Sequence, residues 1–249
     1  MPVIAVVNSK GGVGKTTVCV HLGHALAQAG KKTLIIDMDM QDNIRIWLDA
    51  QEKDVTLFDV LVEDAEAKDA IINVRDNLDI LPSGGDNLGA VPYLLNKAQK
   101  SADVFKKAIR KERLLYDYVL IDCSPSRSLL HTLVTVASDY ILIPVNMEWL
   151  AVLGSGQVTR AINEVTEKYK LETEIKWIVP TFVDRRRSRI CDEVMESLKK
   201  AYGNRLTNPI RINSRLSEAP GFGQTVFDMK EKKGMEDFSE LAERVIEVG

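Results

Sequence analysis

Lys10-Gly11-Gly12-Val13-Gly14-Lys15-Thr16-Thr17 follows an apolar run at residues 3–7 and opens a stretch of helical periodicity. A strand that enters a glycine-rich turn and then a helix sets a row of backbone N–H groups at the positive helix end, where phosphate groups are held. Gly11, Gly12 and Gly14 permit the close approach of backbone to phosphate, and Val13 lies between them. Lys15 is spaced to reach the β- and γ-phosphates and the Thr16 hydroxyl to coordinate Mg2+. The segment from Lys10 to Thr17 therefore predicts a site for ATP with Mg2+.

Outward from this turn, short β-branched runs at residues 33–37, 78–81, 118–122, 140–145 and 175–179, with a shorter one near Ile210, alternate with helical patterns. The helices are expected at residues 15–29, ending at Gly30, and at 57–62, 102–111, 156–169, 189–202 and 235–248. Continuous apolar strands joined by crossover helices give an α/β fold with a mainly parallel twisted sheet flanked by helices, a P-loop NTPase architecture. The 249 residues, 45% of them hydrophobic and 28% charged, suit a single domain spanning 1–249. No internal repeat or low-complexity linker interrupts it; the glycine-rich loop at residues 83–89 is the one place where a boundary is considered, and it reads as a loop after a strand.

No apolar run approaches the ~20 residues that span a bilayer, and the N-terminus enters a strand without a signal-like pattern, so a cytoplasmic protein with no membrane partner is expected. Three scattered cysteines, Cys19, Cys123 and Cys191, suit neither a disulfide framework nor a four-ligand zinc site. His21 and His24 have a spacing that suits a metal but no acidic or thiol companion nearby, and read as helix-surface or packing residues. The formal charge is −3, yet residues 185 to 215 hold nine basic side chains against three acidic ones, a local +6. Such a concentration suits a polyanion.

Two further segments carry acids at strand ends. Asp37-Met38-Asp39-Met40-Gln41 places carboxylates where a water or metal beside the γ-phosphate has to be oriented. Tyr118-Val119-Leu120-Ile121-Asp122 has the form of a Walker B strand, whose acid holds Mg2+ through a water.

With a second lysine, Lys10, just before the glycines, the chain resembles the ParA/MinD/Soj family of deviant Walker A ATPases. The run Arg215-Leu216-Ser217-Glu218-Ala219-Pro220-Gly221-Phe222-Gly223 and the segment Ile143-Pro144-Val145 are similar to the Soj-like ParA branch, so the resemblance covers nearly the whole chain. It implies that Lys10 reaches across an ATP-dependent homodimer to the partner's nucleotide, that Lys10, Lys15 and Asp39 support hydrolysis, and that Thr16, Asp37 and Asp122 lie on the metal side. The family's Asp-x-Asp-Pro-Gln is departed from at Met40, and its Asp-x-Pro-Pro at Ser124. These two positions leave the hydrolysis rate and the details of γ-phosphate sensing open.

The resemblance also implies a use for the ATP. Arg187 and Arg215 match arginines implicated in nonspecific binding of double-stranded DNA, and Arg186, Arg189, Lys199 and Lys200 are candidates to widen that patch. Hydrolysis, weak alone and stimulated by DNA and a ParB-like or cargo adaptor, would release a nucleoid-associated dimer and so partition a plasmid or chromosome. A motif starting at residue 10 predicts no preceding helix-turn-helix domain. Three alternatives stay open: a protein cargo such as a carboxysome or chemosensory cluster, a MinD-like membrane ATPase, and a metabolic or redox relative. Against the second stands the acidic stretch from Met235 to Gly249. Against an iron–sulfur relative stands the cysteine count.

Overall fold

The computed structural model describes residues 1–125, 129–184 and 188–248. In chain order its elements are β1 Val3–Val6, α1 Lys15–Gln28, β2 Thr33–Met38, α2 Asn43–Trp47, α3 Leu57–Val62, α4 Ala67–Ala70, β3 Ile72–Arg75 and β4 Leu78–Leu81. They continue with α5 Val91–Lys97, α6 Val104–Ala108, α7 Arg110–Arg113, β5 Tyr118–Cys123, α8 Leu129–Ala137, β6 Tyr140–Asn146 and α9 Trp149–Tyr169. The last are β7 Glu174–Thr181, α10 Ser188–Tyr202, α11 Ser214–Glu218 and α12 Lys232–Ile246.

The strands form a seven-stranded sheet in the order β3-β4-β2-β5-β1-β6-β7, parallel except at the edge pair β3 and β4. Every residue of β1, β2 and β5 is buried, because helices cover both faces. Side chains that alternate along a strand enter different cores. Val3, Ala5, Leu34, Ile36, Val119 and Ile121 pack on one side, beneath α3, α5, α6 and α8. Ile4, Val6, Ile35 and Leu120 pack on the other, against α1 and α12. Trp177, Phe105 and Phe238 are among the largest fully buried side chains, each contributing on the order of 1.5–3 kcal/mol of apolar burial.

The α/β class, the parallel sheet and the strand positions agree with the sequence reading, and several element boundaries differ. Edge strand β3 is not foreseen, since Ile72-Asn73-Val74-Arg75 is half-exposed and bulged; Asn77, in the left-handed region at φ 58°, turns it into β4. The short strand expected near Ile210 is only a bridge between Val183 and Arg211, because the chain leaves the sheet for α11. The helix expected at 102–111 breaks into α6 and α7. Short α2, α4, α5 and α11 carry too few turns to show a period. The nine-residue α8 is apolar on most sides and is likewise missed. Helix α9 begins at Trp149, ahead of Gly154 and Gly156, so these glycines do not mark its start.

Helix α12 starts at Lys232 and not at Met235, since the Glu231 carboxylate caps it by accepting from the N–H groups of Lys233 and Gly234. The acidic helix of the sequence reading thus has a basic beginning. All three cysteines are buried free thiols. His21 and His24 are buried packing residues: His21 stacks on Phe238 at 4.8 Å and lies edge-on to Trp47 at 5.3 Å, and burial pushes its pKa down to about 4. Among the described residues no group of histidines, cysteines and acids suits a metal ion, and no helix is long and apolar enough to cross a membrane.

Candidate nucleotide site

Strands β1, β2 and β5 are neighbours in the sheet, and their carboxyl ends bring the three sequence motifs together. Val6 pairs with Asp122, and Asp37 with Asp122, in the parallel ladders. Parallel strands with helices on both faces leave a crevice at this edge, where α/β proteins bind ligands.

The turn from Lys10 to Gly14 closes onto α1 through left-handed glycines, Gly12 at φ 73° and Gly14 at φ 89°. A Cβ added at Gly11 or Gly12 would meet nothing within 4 Å, so their outer face is open to a ligand. At Gly14 the same Cβ would lie 3.0 Å from the Phe182 ring, so conformation and close packing both require glycine. Lys15 Nζ donates to the Lys10 carbonyl at 3.1 Å, and burial lowers its pKa while Asp122, Cys123 and Asp39 oppose the shift. Lys10 pairs with Glu148 at the mouth of α9, and its N–H is accepted by Asn8 Oδ1 at 3.0 Å.

The acids divide their work. Asp122 is fully buried; its Oδ2 accepts from the Thr16 hydroxyl at 2.6 Å, and among the described residues its Oδ1 has no partner. Desolvation pushes its pKa up to about 7, opposed by the Thr16 hydrogen bond and by Lys15 and reinforced by Asp39. The sequence reading sets Asp37 beside it on the metal side. In the structure each Asp37 oxygen accepts one backbone N–H, from Asp39 at 2.9 Å and from Ile44 at 3.0 Å. These bonds hold the loop that follows β2, and the Asp37 pKa is raised by desolvation and by Asp122. Asp39 is half-buried, and its Oδ1 accepts from the Gln41 N–H at 3.1 Å.

These features fit a phosphate–metal group: an open glycine cradle, a lysine at its base, a hydroxyl–carboxylate pair and an orphaned buried acid oxygen. An unpaired buried carboxylate oxygen is costly by itself, and a cation or its bound water removes that cost.

Sequence reasoning does not single out four supporting residues. Asn8 ties the turn to β6 by donating to the Pro144 carbonyl at 2.7 Å. Thr181, at the end of β7, donates to the Val13 carbonyl at 2.8 Å. Phe182 adopts φ 56°, a left-handed backbone costly for a side chain of its size, and lays its ring against Gly14. Asp42, at φ 49°, pairs with Arg45 and accepts from both the N–H and the hydroxyl of Ser83. Only Asn8, two residues before Lys10, carried a positional hint. The departure at Met40 also has an account: its Sδ lies 2.7 Å from where a Gly89 Cβ would be, so the side chain packs on the 310 turn Gly85–Ala90.

Among the described residues, the basic side chains of this segment differ in what they are committed to. Arg186 and Arg187 lie outside the described residues, as does the side chain of Arg189. Lys199 and Lys200 are exposed in the last turn of α10. Arg215 is exposed on α11 and pairs with Glu218 at 2.8 Å. Arg211 instead pins α12, binding Asp237 at 2.7 Å and also Glu236, which hold its guanidinium firmly charged.

Three comparisons bear on this geometry. A family model described as an AAA domain matches residues 1–176. The chain is 34% identical to the sporulation initiation inhibitor protein Soj of Bacillus subtilis, over 98% of this chain and 97% of that protein. It is also 34% identical to the chromosome partitioning protein ParA of Caulobacter vibrioides, over 98% and 93%. Among solved structures, a putative plasmid partition protein from Borrelia burgdorferi bound to AMPPNP superposes with a TM-score of 0.84 at 25% identity, covering 99% of this chain and 98% of that one.

Proposed function

The chain belongs to the ParA/Soj family of partition ATPases within the AAA-domain group, and from that premise we propose that it is an ATP-operated DNA-binding switch. In this reading an ATP-bound sandwich dimer holds double-stranded DNA without sequence preference. Hydrolysis stimulated by DNA and a ParB-like or cargo adaptor returns the protein to a non-binding monomer, so that a changing coat on the nucleoid partitions a plasmid or chromosome.

At the site, the N–H groups of the turn from Lys10 to Gly14 and Lys15 receive the phosphates, and Thr17 lies in the first turn of α1 behind them. Thr16 and Asp122 would hold Mg2+, with Asp37 fixing the loop beside them. Bound there, Mg2+ neutralises phosphate charge. Asp39 orients the attacking water. Lys10 acts across the dimer, which requires its pair with Glu148 to open. Both partners of that pair are well exposed, so opening it costs roughly 1 kcal/mol or less.

The observation that carries the reading is the continuous link from the phosphate turn to the basic segment. Thr181 and Phe182 grip Val13 and Gly14. The next residue, Val183, donates to the Ile210 carbonyl and accepts from the Ile212 N–H, each at 3.0 Å, and Asn213 then caps α11 beneath Arg215. In this reading these bonds are the route by which a change in the turn on nucleotide binding reaches the segment that bears Arg215. Dimerisation adds a second basic surface to the same particle, making DNA affinity depend on ATP.

Binding to random-sequence duplex DNA with ATP, ADP or no nucleotide, across a salt series, tests this directly. ATP-dependent, salt-sensitive binding that is lost in the Arg187→Glu/Arg215→Glu variant is the expected result. Absence of binding in every nucleotide state overturns the proposal.

A further inference from the structure

Arg215 stands on the wall of a groove of about 710 Å3 that continues to Phe222, Met229, Lys230, Lys232 and Lys233. The three lysines are exposed, and among the described residues none of their ammonium groups has an ion pair or hydrogen bond. The acid among them, Glu231, is turned inward: its carboxylate accepts from the N–H groups of Lys233 and Gly234 and from the Asn213 side chain. Three lysine ammonium groups, together with Arg215, which is paired with Glu218 at 2.8 Å, thus line one groove whose own lining carries the single carboxylate Glu231.

The lining is net positive, four cations against Glu231, and a polyanion relieves the repulsion left among the like charges. The groove is lined by exposed cations from two segments of the chain, Arg215 and the lysines between 230 and 233. Several exposed cations on one open surface suit a polymer that carries many charges. At the rim Phe222 is 67% exposed, an apolar face among cations.

We propose that this groove seats the phosphodiester backbone of duplex DNA, with Lys230, Lys232 and Lys233 as phosphate contacts beside Arg215 and with Phe222 as a non-ionic contact to the sugars. The inference rests on the DNA-binding reading and extends it to residues beyond the 185–215 segment. Asn213 joins the two, since its Oδ1 accepts from the Arg215 N–H at 3.0 Å while its Nδ2 donates to Glu231 at 2.6 Å. Lys199 and Lys200 do not line this groove.

The test compares wild type, Lys230→Gln/Lys232→Gln/Lys233→Gln and Phe222→Ala for binding to random-sequence duplex by fluorescence anisotropy, at saturating ATP across a salt series. Each lost phosphate contact lowers the salt slope by about 0.9, so a dimer lacking these lysines is expected to lose roughly two to five from the slope and at least about tenfold in affinity. Phe222→Ala is expected to lose severalfold in affinity with its slope unchanged. Thermal melting and ATP-dependent dimerisation check that each variant folds. Should the triple variant fail there, Lys232→Gln alone is expected to lower the dimer's slope by about one to two. Wild type that binds while the lysine variants keep the wild-type slope overturns the groove and leaves the DNA reading standing; a groove that seats an acidic protein segment gives that same unchanged slope. Wild type that binds no DNA removes both.

Discussion

Asp37 and Asp122 lie fully buried at the ends of β2 and β5, with their pKa values raised by desolvation, whereas Lys230, Lys232 and Lys233 stand in solvent with no ion pair among the described residues. The first arrangement stores electrostatic free energy in the folded chain, so one cation arriving at Asp122 has a large effect. The second stores little, because water screens each ammonium, and it acts only through the number of charges that meet a polyanion. A buried site is therefore sensitive to single residues, and an exposed one to sums.

The sharpest way to break that contrast is at Lys15. Lys15→Ala is expected to lower ATP affinity at least about a hundredfold, the scale of a lost charge-assisted contact of roughly 3 kcal/mol. Titration calorimetry showing affinity within tenfold of wild type would contradict the phosphate assignment. Next in size, Asp39→Ala is expected to slow hydrolysis by about a hundredfold and to accumulate the ATP dimer, read by phosphate release and sedimentation. Normal turnover in that variant shows that another group orients the water.

His21 sharpens the buried half through pH. Its folded pKa of about 4 lies below the ordinary 6.5, so the fold holds the neutral ring. The stability linked to that ring is complete above pH 6.5 and is lost as pH falls through 4. Urea unfolding across this window is expected to lose roughly 3 kcal/mol from His21, with His24 adding in the same direction, and His21→Gln is expected to flatten the curve. An unchanged pH profile in the variant places the titration elsewhere.

The smallest effect belongs to the exposed half. Lys199→Ala/Lys200→Ala is expected to lower the salt slope of DNA binding by less than the loss of the three groove lysines does, since these two lie on α10 outside the groove. A larger drop would move the centre of the DNA surface to α10.

Much of the nucleotide site was legible because its parts are short and contiguous. Gly12 and Gly14 announce left-handed turns, and Lys15 and Thr16 follow at fixed offsets on α1. Asp39 and Asp122 end apolar runs that can only be buried strands. The supporting residues were not legible, since each acts on a partner far along the chain: Thr181 on Val13, Asp42 on Ser83, Asn8 on Pro144. The charge count over 185–215 likewise counted Arg211 with the rest, though its guanidinium is committed to Asp237 and Glu236.

By itself the sequence determined the α/β class, the parallel sheet and the phosphate turn, because these follow from local periodicity and from glycine's freedom at positive φ. Only the tertiary structure decided which charges are free. It set Asp37 against backbone N–H groups, left Asp122 Oδ1 unpaired among the described residues, turned Glu231 inward as a cap and exposed the lysines around it. Whether a charge is available depends on its partners and its distance from water, and both are set by residues brought together from distant parts of the chain.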